Sequence, residues 1–64
     1  MNPMAQITCK ELSALSDLLS AEEMLASKYA DCASLTTDST LKNQFEQMSL
    51  SHQRHYDELF SHLK

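Results

Sequence analysis

Leu12, Leu15, Leu19, Glu22, Ala26, Tyr29 and Ala33 recur at alternating spacings of three and four residues, and Leu18, Leu25 and Cys32 fill the adjacent ridge. At about 3.6 residues per turn such positions share one side of a helix, so the pattern predicts a long amphipathic helix over about residues 9–34. Its start is marked by Thr8 with Glu11 three positions later. That pair forms a capping box, in which each side chain is expected to reach the other residue's backbone N–H. Leu41, Phe45, Met48, His52, Tyr56, Leu59 and Leu63 repeat the period, predicting a second helix over about residues 39–63. Between the two, Leu35-Thr36-Thr37-Asp38-Ser39-Thr40 is rich in β-branched and cap-forming residues. Their side-chain oxygens compete with helical backbone bonds, which predicts a turn at residues 35–38 and an N-cap from Thr37 or Asp38. The residues before Thr8, Pro3 among them, lie outside the pattern and are expected to fray.

Two helices of about 25 residues, each about 37 Å long, joined by a short turn must lie antiparallel. The expected fold is all-α, one helical-hairpin domain over residues 1–64. A single hairpin leaves a problem of coverage. The apolar arc of the first helix runs from Cys32 and Leu25 on one side to Leu12 and Leu19 on the other, wider than one neighbouring helix can cover. A domain of 64 residues also buries only about 60% of its unfolded surface and needs a disulfide, a metal or self-association. An internal disulfide is excluded, because Cys9 and Cys32 on one helix stand about 35 Å apart and a bridge needs Cα atoms within about 7 Å. The thiols are expected to be reduced, buried or capping, with a bridge between two chains as the lesser alternative. Two hairpins pairing about a two-fold axis would close the arc as a four-helix bundle, so a homodimer is the expected remedy.

Composition removes several classes of function. With no glycine there is no phosphate-cradling loop or dinucleotide fingerprint. A net charge of −4 and a pI near 5.1 have the wrong sign for a nucleic-acid surface. The stretch from Leu12 to Leu19 is broken by Ser13, Ser16 and Asp17, far short of the roughly 20 apolar residues of a membrane span. The opening Met-Asn-Pro-Met has neither the charged nor the apolar region of a secretory signal, so synthesis in the cytoplasm without a signal peptide is expected.

Three polar residues fall where apolar ones belong. Glu22 lies at the centre of the arc formed by Leu15, Leu18, Leu19, Leu25, Ala26 and Tyr29, whereas Glu23 points about 100° away among serines. On the second helix His52 falls mid-stripe, His55 at its edge and His62 further out. Counted from the middle of the turn, Glu22 lies about fourteen residues back and His52 about fifteen forward, so an antiparallel hairpin sets them at nearly the same height with His55 one turn on. Two readings stay open. Glu22 and His52 can be a buried pair that fixes register, or Glu22, His52 and His55 can be metal ligands, since bundles build such centres from inward carboxylates and imidazoles on facing helices. Pairing about a two-fold would gather two Glu and four His. No nucleophile, cleft or oxyanion donor accompanies the trio, so an enzyme is not expected. Tyr29, Met48 and Phe60 read as core, and Met24 points outward.

Glu22-Met-Leu-Ala-Ser-Lys-Tyr29, Asp38-Ser-Thr-Leu41-Lys42 and His52-Gln-Arg-His55-Tyr56 with Leu59 resemble the coat F type of spore coat proteins of endospore-forming bacteria. The resemblance runs from about Leu12 onward. That family is similar in architecture to the ferritin-like proteins, whose first helix carries a Glu followed seven residues later by Tyr and whose second carries Glu-x-x-His. Glu22, Tyr29 and His55 match, and His52 stands where the bridging Glu would be. The resemblance implies a homodimeric ferritin-like bundle acting as a small structural or assembly protein of the spore coat, with other coat proteins as partners. It also implies, as the alternative, a ferritin-like metal-binding protein. Two Glu and four His are poorer in charge than a di-iron carboxylate centre, so zinc, copper or nickel would suit the pocket at least as well as iron.

Overall fold

A computed structural model describes residues 7–63 as two antiparallel α-helices in contact along their length. The first, α1, spans Cys9–Leu35, and the second, α2, spans Ser39–Ser61. The expected fraying before Thr8 concerns residues 1–7, of which residues 1–6, Pro3 among them, lie outside the described residues and Ile7 stands before the helix.

Local chemistry sets the ends. The Thr8 hydroxyl accepts from the Glu11 backbone N–H at 3.1 Å, satisfying one of the donors a helix start leaves open. The return half of the predicted capping box differs: the Glu11 carboxylate accepts from the Thr8 hydroxyl at 3.0 Å instead of the Thr8 backbone N–H. At the turn Asp38 is the N-cap, and its Oδ1 accepts from both Thr40 and Leu41 N–H at 2.9 Å. Thr36 takes the C-cap of α1, and its hydroxyl accepts from the Asp38 N–H at 3.2 Å. The turn is thus Thr36–Asp38, with Leu35 still helical. The end of α2 falls at Ser61, earlier than the expected 63, as His62 and Leu63 make tighter bonds to the carbonyls of Leu59 and Phe60.

Facing partners across the seam have residue numbers that add to 74 or 75, as in Glu22 with His52, Tyr29 with Phe45 and Ala26 with Ser49. This register centres on Thr37, where the turn lies. Along the seam the buried residues, among those described, are small: Ala26, Ala33 and Ser49. Small side chains let two backbones approach closely, and the larger Leu15, Leu19, Tyr29, Phe45, Tyr56 and Leu59 are only half-buried around them.

Several sequence expectations of burial are corrected. Leu18 on the predicted ridge is 54% exposed, Met48 is 42% exposed, and Leu12, Leu41 and Phe60 are also exposed. The reason is geometric, for one neighbouring helix covers a narrower sector than the apolar arc occupies. Cys9 and Cys32 are free thiols, as expected, but both are exposed where burial or capping was expected. Met24, Glu23 and His62 are exposed as the helical phase requires. Among the described residues no helix is long and apolar enough to cross a membrane.

Candidate metal centre

Glu22 sits at the middle of α1, with residues 9–21 before it and 23–35 after it. Its position on the inner arc turns the carboxylate to α2, where the i, i+3 spacing of His52 and His55 puts both imidazoles on one side of the helix. The two carboxylate oxygens are divided between them. His52 Nδ1 lies 2.5 Å from Glu22 Oε1, and His55 Nδ1 lies 3.2 Å from Glu22 Oε2. An ionised carboxylate can only accept, so with Glu22 ionised it is His52 Nδ1–H that donates in the shorter bond.

The surroundings hold this arrangement. The side chains of Glu22 and His52 are only 18% and 17% exposed, whereas His55 is 48% exposed. The His52 ring stacks on Tyr29, with centroids 5.6 Å apart and planes 6° from parallel, and Tyr29 in turn meets Phe45 at 6.2 Å. His55 stands edge-on to His52 at 5.6 Å. Tyr29 therefore serves as an aromatic wall behind the site. One turn along both helices, Ser49 Oγ donates to the Ala26 carbonyl at 2.8 Å and accepts from Gln53 Nε2 at 3.2 Å. This second clasp pins the register that brings Glu22 opposite His52. Sequence reasoning missed Ser49, because a serine among alternating apolar positions carries no signal of a cross-helix bond.

One ligand atom from each of Glu22, His52 and His55 lies within 4.8 Å of the other two, so the trio can hold a metal ion. A tetrahedral ion with bonds of about 2.0–2.1 Å keeps its donors roughly 3.4 Å apart; the Glu22–His55 contact is close to that, whereas the 2.5 Å hydrogen bond from His52 would have to open to admit an ion. Two imidazoles with one carboxylate form a nitrogen-rich set, which suits zinc, copper or nickel and is short of the charge that hard cations prefer. Glu22 and His55 open onto a shallow depression bordered by Leu18, Leu59, Glu58 and His62. Every site residue read from the sequence is thus brought into one cluster. His62, read as lying outside it, stays at the rim.

Comparison with protein families, with curated proteins and with solved structures finds no match.

Proposed function

We propose that this chain is a small structural or assembly protein that works as a homodimeric four-helix bundle. The observation that carries the reading is an uncovered apolar flank. By helical phase Leu18 and Leu25 lie on the same flank of α1, and Met48 and His55 lie on the matching flank of α2. Leu18 and Met48 are about half exposed while, among the described residues, the buried apolar ones are only Ala26 and Ala33. Burial of apolar surface is the main favourable term in folding, and this hairpin lacks enough of it to stand alone. The opposite flank is mixed: Glu23, Lys42, Glu46, Gln53 and Asp57 border its depressions beside the exposed Leu50. A second copy covering the apolar flank turns two incomplete hairpins into one core. Placement in the spore coat, with other coat proteins as partners, rests on the coat F resemblance of Glu22 to Tyr29 and His52 to Tyr56.

Sedimentation equilibrium checks the assembly: a dimer mass and a melting temperature that rises with protein concentration are expected. A monomer mass at every concentration, with and without added zinc, would overturn the reading. A second reading, a metal-binding protein of ferritin-like architecture, is favoured by the convergence of Glu22, His52 and His55. Its check is metal analysis of protein purified without a nickel column, where near-stoichiometric metal is the supporting result and none the opposing one.

A further inference from the structure

We infer that the dimer is metal-gated: a divalent transition-metal ion held by Glu22, His52 and His55 is completed by the same trio of a second copy, so that metal drives the pairing of hairpins. The inference rests on the assembly reading above and adds what controls it. Three observations on the hairpin converge.

The donor set is incomplete in one chain. Structural zinc takes four ligands, and the cluster gathers three with one atom from each residue; two clusters face to face would give each of two ions four donors if both oxygens of each Glu22 carboxylate were used. The open side of the cluster is also the side that lacks cover. His55, the most exposed of the three, shares its flank with Leu18 and Met48, and the depression over Glu22 is bordered by Leu18 and Leu59 together with Glu58 and His62. An ion seated there therefore points its unfilled position at the apolar flank, so whatever covers that flank also caps the ion.

The placement of the cluster selects a second copy as the occupant. Glu22 is the central residue of α1. A two-fold axis through that level, perpendicular to the helices, overlaps two hairpins along their full length with loops at opposite ends and sets cluster against cluster. With loops at opposite ends, a site near either end would meet its copy only with both hairpins overhanging. The area suffices as well. The molecule is a slab with extents of 47 by 19 Å, a face of roughly 900 Å², and 10 Å thick. A stable interface needs about 800 Å² from each partner. In the absence of metal the same arrangement is opposed, because two carboxylates and four imidazoles brought together and cut off from water must be desolvated with incomplete pairing. The ion supplies the missing positive charge and the missing bonds, and by linkage whatever binds only the dimer favours the dimer.

The experiment is sedimentation velocity over a dilution series, in chelator and then with one equivalent of zinc per chain, with calorimetric titration of zinc alongside. A Cys9→Ser, Cys32→Ser background removes the exposed thiols as competing ligands. The expected result is a dimer dissociation constant tightened by about tenfold or more with zinc, reversed by chelator. Glu22→Gln and His55→Ala should abolish the response, and His62→Ala should keep it. His55 is half exposed, so its replacement leaves the hairpin folded, which helical circular dichroism verifies. Zinc binding with an unchanged dimer constant overturns the inference and leaves assembly standing, as does dimerisation with no zinc binding. A chain that stays monomeric with and without zinc overturns the assembly reading too.

Discussion

The Ser49 hydroxyl donates to the carbonyl oxygen of Ala26 across the helix seam, 2.8 Å away, and both residues are buried. That carbonyl already belongs to the ladder of α1, so the serine uses its second lone pair without breaking a helical bond. The bond lies one turn from the Glu22–His52 contact on both helices. It keeps the backbones close enough for a short carboxylate to meet an imidazole ring.

The seam should therefore tolerate loss of the hydroxyl better than gain of volume. Ser49→Ala removes one hydrogen bond and is expected to cost about 1 kcal/mol, with the site intact. Ala26→Leu forces extra atoms between the helices and should cost about 1–3 kcal/mol or more, while pushing Glu22 away from His52 and weakening zinc binding. Thermal melts with zinc titrations check both. Equal effects of the two substitutions would contradict the close-approach account.

Glu22 and Glu23 are adjacent in sequence and opposite in consequence. Glu22→Gln keeps the shape and removes the charge facing two imidazoles, so stability should change by about 1–3 kcal/mol and zinc binding should be lost. Glu23 is exposed, and Glu23→Gln should stay within about 0.5 kcal/mol with zinc binding unchanged. Calorimetry on the two variants side by side decides the matter.

Caps should matter in proportion to the bonds they make. Asp38 accepts two backbone N–H bonds at the turn, and Thr8 accepts one at an exposed helix start. Asp38→Ala is expected to cost about 1–2 kcal/mol and Thr8→Ala less than about 1. Urea unfolding of the two variants at one protein concentration gives the comparison.

The uncovered flank can be tested apart from the metal. Leu18→Asp changes a residue exposed in the single hairpin, so helicity of the monomer should be kept while the dimer weakens by about tenfold or more, in keeping with the loss of roughly 1.5–3 kcal/mol from one buried leucine. Leu50 is as exposed but lies by phase on the outer side of α2, and Leu50→Asp should leave the dimer constant within about twofold. Sedimentation velocity reads both. A loss of dimer from Leu50→Asp instead would move the interface to the outer side.

Both thiols are exposed and unpaired, which predicts that Cys9 and Cys32 react fully with a thiol reagent under native conditions. Protection of Cys32 alone in the dimer would show that the interface extends along α1 towards the turn.

What the sequence determined by itself was everything that follows from local periodicity and chain length. The three-and-four spacing from Leu12 to Ala33 defines α1, the Thr8 cap and the Thr-Thr-Asp turn bound it, and a turn centred on Thr37 makes Glu22 and His52 equal in height. Register in an antiparallel hairpin is counting, so the cluster was legible in the sequence. The tertiary structure alone decided which sector of each arc meets the neighbour. Ala26, Ala33 and Ser49 take the seam, and Leu18, Met48 and Cys32 are left outside it. Helical phase ranks positions around a wheel, but the rotation of one helix against the other depends on how closely two backbones can approach. That distance is set by pairs of small residues and a hydroxyl finding a carbonyl, interactions between positions 23 residues apart that no periodicity along a single helix encodes.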